Sequence, residues 1–172
     1  MNEIEVTGYE PGVIGRITEL QATYYAKNWG MGLYFEAKAA TEMSAFLSRF
    51  NPDSDGAWIA KVKGEIAGGV FIDGKDAEGE GARLRWFIID PAYQGRGIGN
   101  QLMEKAVSFC KQAGFRRVYL TTFAGLNAAR HLYEKFGFKL CGEADGSHLT
   151  GTSSLVEQIF ELILPDKGGL KA

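Results

Sequence analysis

The chain has 172 residues, 45% hydrophobic and 23% charged, with a formal net charge of −2 and two cysteines. That length buries one sizeable core; the missing basic face argues against nucleic-acid binding, and isolated Cys110 and Cys141 argue against a disulfide framework and for a reducing compartment. No apolar run reaches the roughly 20 residues of a membrane span and MNEIEVTGYEPG lacks a signal's apolar stretch, so a cytoplasmic protein with neither nucleic-acid nor membrane partner is expected.

Residues 4–9 alternate apolar and polar, as a short strand does. Pro11-Gly12 opens a helix in which Val13, Ile17, Leu20 and Tyr24 recur at helical spacing. Gly30 and Gly32 interrupt the chain, and Ala39, Met43, Phe46 and Phe50 mark a second amphipathic helix, stopped by Asn51-Pro52-Asp53. Strands are predicted over 57–62 and 66–72, joined by a tight turn at Lys63-Gly64-Glu65. A polar, glycine-rich loop over 74–81 leads to a strongly apolar strand over 84–89. A helix over 97–113 ends at Gly114, a strand over 118–123 precedes a helix over 127–136, and 139–141 and 155–164 read as closing strands. The order β-α-α-β-β-β-α-β-α-β-β predicts one α/β domain with a mixed sheet over residues 1–165, and a disordered tail over 166–172.

The most informative stretch is Asp90-Pro-Ala-Tyr-Gln94-Gly95-Arg96-Gly97-Ile98-Gly99-Asn100, which follows a buried strand and opens a helix. Glycines let backbone N–H groups approach a phosphate, the helix N-terminus adds positive potential, and Arg96 offers a charge-assisted contact. It is not a GxxxxGK[ST] loop, and Asn100 stands where a GxGxxG loop needs its third glycine. Taken alone, the segment is equally a helix that starts at a glycine-rich turn.

Gln94-x-x-Gly97-x-Gly99 resembles the pyrophosphate-binding motif of the GNAT superfamily of N-acetyltransferases. Asn127 through Tyr133 to Gly137-Phe138 resembles that family's second block, in the family's order. More narrowly, Tyr24 to Trp29, Phe35-Glu36, Leu84 to Phe87 and Glu157 to Phe160 look like GNAT domains fused to MarR-type regulators. The resemblance implies a mostly antiparallel sheet of about seven strands with four helices, acetyl-CoA as acetyl donor, and a small-molecule or protein amine as acceptor; it leaves a homodimer open.

It also implies roles. Tyr133 would be the acid for the leaving thiolate; on spacing alone it is as readily a core residue beside Ala129 and Phe136. Phe87, Ile88 and Ile89 would offer backbone groups to the thioester and pantetheine. Gln94 to Asn100 would hold the pyrophosphate, Asn127 would bind the cofactor or cap its helix, and Arg130 would reach phosphates or stay solvated. Relatives place a Glu or His where this chain has Arg83 and Arg85, so the general base is unassigned; water, Glu36 or Glu157 are candidates. Two arginines two apart share a strand face and would grip an anionic or strongly hydrogen-bonding acceptor, with Tyr24, Tyr25, Trp29, Tyr34 and Phe35 as an aromatic wall and Glu36 on the ammonium. The alternative pairs the arginines with Glu78, Glu80 or Glu161. Isolated His131 and His148 point to no metal. The missing strand carboxylate keeps a non-catalytic CoA-binding or small-molecule-binding regulatory module as the rival reading.

Overall fold

The apolar runs assemble into one sheet in the computed structural model, which describes residues 3–150 and 155–167. In chain order the elements are β1 (Ile4–Thr7), α1 (Val13–Trp29), α2 (Leu33–Ser48), β2 (Gly56–Val62), β3 (Glu65–Asp73), β4 (Ala82–Ile89), α3 (Ile98–Ala113), β5 (Arg117–Phe123), α4 (Asn127–Lys135), β6 (Lys139–Asp145), a single turn α5 (Ser147–Thr150) and β7 (Val156–Ile163). The strands lie in the order β1-β2-β3-β4-β5-β7-β6, and every neighbouring pair is antiparallel except β4 and β5. β6 runs four residues past the expected Cys141. It is an exposed edge strand, so its Gly-Glu-Ala-Asp end carries no apolar signal. Residues 168–172 of the expected tail lie outside the described residues; Asp166 pairs with Arg116, and Lys167 donates to the Gln112 carbonyl.

Helices cover both faces. α3 lays Ile98, Leu102, Ala106 and Cys110 against Val70, Leu84, Leu120 and Phe160. α1 and α2 lay Val13, Ile17, Met43 and Phe46 against Ile59, Phe71 and Ile88 on the other side. Each such side chain contributes about 1.5–3 kcal/mol on burial. β3 is covered on both faces, which explains its unbroken apolar run from Ile66 to Ile72. No helix among the described residues is long and apolar enough to cross a membrane.

The site follows from one irregularity in β4. Gly69 faces Ile88 and Phe71 faces Arg85, so Trp86 and Phe87 together oppose Val70, a β-bulge. Trp86 takes φ 49°, a left-handed conformation that costs a non-glycine residue about 1–3 kcal/mol. Packing holds it there: its ring meets Phe46 at 5.6 Å and Phe71 at 5.7 Å, and Arg85 stacks on it at 4.0 Å. Beyond the bulge β4 bends away from β5. The two strands pair only at Ala82–Val118 and Arg83–Tyr119, and a gap opens between the rest of β4 and the C-terminal half of β5.

Gly68 lets β3 follow this bend, because a Cβ there would collide with the Ile88 carbonyl oxygen and the Ile89 backbone. Gly68→Ala is therefore expected to destabilise the fold by about 1–3 kcal/mol, as overpacking does. Gly15→Ala, in α1 with open space around it, is expected to stabilise by up to about 1 kcal/mol. Urea unfolding of the two variants checks both signs.

Candidate active site

The gap between β4 and β5 leads into a cavity of about 740 Å³ bounded by Phe87, Ile88 and Ile89, by the loop from Tyr93 to Asn100, and by the start of α4. The loop is pinned at its base. Asp90 accepts the Ala92 N–H at 2.9 Å and pairs with Arg16 at 2.7 Å, and its own N–H donates to the Ala67 carbonyl at 2.8 Å. Gly95 and Gly97 have φ of 76° and 81°, and a Cβ on either would stand in open space. Gly97 caps α3, whose internal ladder begins with Gln101 N–H to Gly97 O at 3.2 Å. The N–H groups of Ile98, Gly99 and Asn100 therefore have no partner within the helix, and no acidic side chain stands in its first turn. That is an anion-binding helix end. Gln94 lines the same cavity and donates to the Ile89 carbonyl at 3.4 Å.

Gly99 lines the cavity too and is also required by packing: a Cβ there would meet Ile89 and Leu132 at 3.1 Å and Phe87 at 3.4 Å. Two expected binding residues are placed otherwise. Arg96 does not line the cavity and lies over the Tyr93 ring at 5.3 Å. Arg130 is also off it, bonded to Glu134 at 2.9 Å and lying over Phe160 at 5.6 Å. The positive charge comes from Lys135, which lines the cavity and donates to the Asn100 side chain. His131, one turn from Lys135, lines it too. Asn127 is the first residue of α4 rather than its cap, which is Leu126, and it lines the cavity.

A second, smaller cavity of about 130 Å³ lies on the α2 side of the gap, bounded by Phe35, Lys38 and Glu42 of α2, Arg83 to Phe87 of β4 and Thr121 to Phe123 of β5. Three side chains, Tyr25, Phe87 and Tyr133, border both cavities. Tyr133 is 5% exposed, with its ring against Phe87, Phe138 and Phe160 at 6.0–6.2 Å. Burial, and after it the neighbouring Tyr25, push its phenol well above the ordinary value. Burial followed by Tyr24 does the same to Tyr25.

The aromatic wall is partly as expected. Tyr25 and Phe35 line the smaller cavity, Tyr24 lines only the larger, and Trp29 lines neither but packs on Tyr24 and Tyr25 at 5.9 and 5.7 Å. Tyr34 is 56% exposed. Glu36 is exposed and outside both cavities. Glu157 is buried on β7 opposite Phe123, 3.2 Å from His148, and lines neither. The carboxylate in the smaller cavity is Glu42 instead. Its signal was the α2 spacing Phe35, Lys38, Ala39, Glu42, one helical stripe that turns polar where it crosses the gap.

Arg83 and Arg85 both line the smaller cavity. Arg85 does not pair with Glu78, Glu80 or Glu161. It meets Glu42 at 2.9 Å and Asp73 at 3.3 Å, and Asp73 in turn holds Arg49 at 2.6 Å. Burial raises the Glu42 carboxyl, but Lys38 and the two arginines outweigh it and leave it below the usual range. Burial and the adjacent Arg83 lower the Arg85 guanidinium, against the pull of Glu42 and Asp73.

Losing one member of a buried ion pair costs about 3–5 kcal/mol. Glu42 is 38% exposed and Asp73 only 11%, so screening brings the loss on Arg85→Met to about 3 kcal/mol. Urea unfolding measures it, and an unchanged midpoint would show that the network adds nothing to stability.

Comparison with known proteins agrees with this geometry. Residues 15–138 match the family model described as acetyltransferase (GNAT) family. An N-acetylaspartate synthetase of Danio rerio is 28% identical over 141 residues, 81% of this chain and 50% of that protein. A spermine/spermidine N(1)-acetyltransferase of Bacillus subtilis is 35% identical over 60 residues, 34% of this chain and 40% of that protein. The chain spans about half the length, or less, of these curated relatives. An acetyltransferase structure from Salmonella typhimurium, solved with its cofactor acetyl-CoA, superposes with a TM-score of 0.72 at 13% identity and covers 99% of both chains. With the family model spanning the sequence from α1 to the end of the α4 block, the chain belongs to the acetyltransferase (GNAT) family.

Proposed function

We propose that this chain is an acetyl-CoA-dependent N-acetyltransferase acting on a small amine. The observation that carries the reading is the meeting of the two cavities at Tyr25, Phe87 and Tyr133. A donor in the larger cavity and an acceptor in the smaller one would face each other there.

The larger cavity suits acetyl-CoA. The free N–H groups at the start of α3 and the nearby Lys135 suit a pyrophosphate. The β5-facing backbone edge of β4 beyond Arg83 has no sheet partner, so it can hydrogen-bond the amide groups of an extended pantetheine arm, as an added strand would. The Phe87 N–H, at the bulge and on the opposite edge of β4 from the β3-facing Ile88 N–H, suits the thioester carbonyl as donor.

Tyr133 donates its O–H to the sulfur as the carbon–sulfur bond breaks. Its raised pKa keeps the proton in place at every working pH, so it acts mainly as a hydrogen-bond donor to the developing thiolate. The acceptor attacks as a neutral amine. Glu42 is already bonded to Lys38 and Arg85, so the departing ammonium proton leaves through water.

The relatives' names support an amine acceptor but not one charge type: aspartate is anionic and spermidine cationic. Thiol release from acetyl-CoA over a panel of amines tests the function. The missing strand carboxylate keeps a non-catalytic CoA-binding or small-molecule-binding module as the second reading, and it becomes the conclusion if no amine releases thiol. Tyr133→Phe keeps the ring packing and is expected to lower kcat about 100- to 1,000-fold, the cost of one lost transition-state hydrogen-bond donor, with acetyl-CoA affinity and Tm unchanged. A wild-type kcat would reduce Tyr133 to packing. Gly97→Asn tests the phosphate end: asparagine tolerates left-handed φ and places a side chain in the open space beside the α3 N-terminus. Calorimetry is expected to show at least about tenfold weaker acetyl-CoA binding, the cost of one displaced charge-assisted contact, in a protein of near-native stability.

A further inference from the structure

Three cations line the smaller cavity, and they are not equivalent. Lys38 is paired with Glu42. Arg85 is paired with Glu42 and Asp73 and stacked on Trp86. Arg83 pairs with no carboxylate among the described residues. Its single side-chain hydrogen bond runs from Nη2 to Thr121 Oγ1 at 3.3 Å, and its Nε is buried without a partner. Lys38, Arg85 and Arg49 are answered by Glu42, Asp73 and Asp55, which leaves one uncompensated positive charge, on Arg83. Arg83 is half-buried, with its Nε cut off from solvent, and a partly desolvated guanidinium without a counterion is costly, so an anion entering the cavity is its natural partner.

Position narrows what that anion belongs to. Arg83 stands at the closed end of the gap, where β4 last pairs with β5. Phe87, where the two cavities meet, is four residues further along the strand, about 13 Å of chain. The cavity of about 130 Å³ compares with about 30 Å³ for a water molecule, so it takes an acceptor of amino-acid size. One net positive charge matches a monoanionic carboxylate better than a phosphate, which carries about −1.5 to −2.

Building on the acetyltransferase reading, we infer that Arg83 is the acceptor anchor and that the acceptor is a small amine bearing a carboxylate set several bonds from the reacting nitrogen. A planar guanidinium grips a carboxylate bidentately, which also fixes its direction. Arg85, already neutralised by Glu42 and Asp73 and stacked on Trp86, supports the bulge and does not bind the acceptor.

The test compares aspartate, glutamate and 4-aminobutyrate with alanine, 2-aminobutyrate and propylamine, the same amines lacking the distal carboxylate, and with spermidine. The carboxylates are expected to lead in kcat/KM by about ten- to a hundredfold, the worth of a charge-assisted hydrogen bond. Arg83→Gln is expected to raise acceptor KM by the same factor and leave KM for acetyl-CoA unchanged; Arg83→Lys, which keeps the charge but loses the fork, falls between and carries the comparison if the Gln variant does not fold. Preference for spermidine or propylamine, or an unchanged acceptor KM in Arg83→Gln, overturns the inference. Calorimetry with CoA-saturated protein separates it from the enzyme reading. Aspartate, glutamate or 4-aminobutyrate binding to wild type and not to Arg83→Gln supports Arg83 even without turnover, in which case only the enzyme reading falls. No binding of any of them to wild type, or equal binding to both proteins, overturns the anchor.

Discussion

Everything at the site depends on a strand that is prevented from completing its sheet. β4 must pair with β3 along its length yet leave β5 after two residues, and the bulge at Trp86 and Phe87 makes both conditions compatible. A left-handed tryptophan is unfavourable by itself. It persists because Phe46, Phe71 and Arg85 surround its ring. The core on the α2 face thus stabilises a backbone defect whose effect is felt on the opposite edge of the strand, as an opening between β4 and β5.

The opening divides labour by chemistry. On the glycine-loop side the polar groups are mostly backbone N–H groups without partners in their own helix, suited to an anion of any attached structure. On the α2 side they are side chains with individual partners. Lys38, Glu42, Arg85, Asp73, Arg49 and Asp55 form a continuous chain of alternating charge. Such a chain is self-neutralising, and it leaves Arg83 as the cavity cation whose charge no carboxylate among the described residues answers.

What could be read in the sequence was local in the chain. The loop from Gln94 to Asn100 and the block from Asn127 to Phe138 sit in contiguous segments, and their positions beside the larger cavity follow from strand-turn-helix connections of a few residues. The seven strands and four longer helices were legible for the same reason: apolar periodicity is a short-range signal. The bulge was not, because nothing near Trp86 calls for positive φ; rings from α2 and β3 impose it. The partners of Arg85 were not, because Glu42 is 43 residues away on another element and Asp73 is 12 away across a hairpin. Arg130 falls beside the larger cavity and not on it: it bonds its i+4 neighbour Glu134 and lies over Phe160, while Lys135, one residue further round the helix than Glu134, lines the cavity. Glu36 failed likewise, since residues 35, 38, 39 and 42 define the inward stripe of α2 and 36 falls outside it.

The parting of β4 from β5 also has a mechanical meaning. The strands β1 to β4 form one half-sheet and β5, β7 and β6 another, and only two ladder pairs join them. An extended molecule lying in the gap and bonding the free edge of β4 stands in for the strand pairing that is absent there. Occupancy therefore belongs to the cohesion of the fold as well as to its chemistry. By mass action, a hundredfold excess of such a ligand over its dissociation constant adds about 2.7 kcal/mol to the folded state, a sizeable share of what holds a domain together at all. The junction of the two halves is a seam, and under the proposed function the donor would brace it for as long as it stays bound.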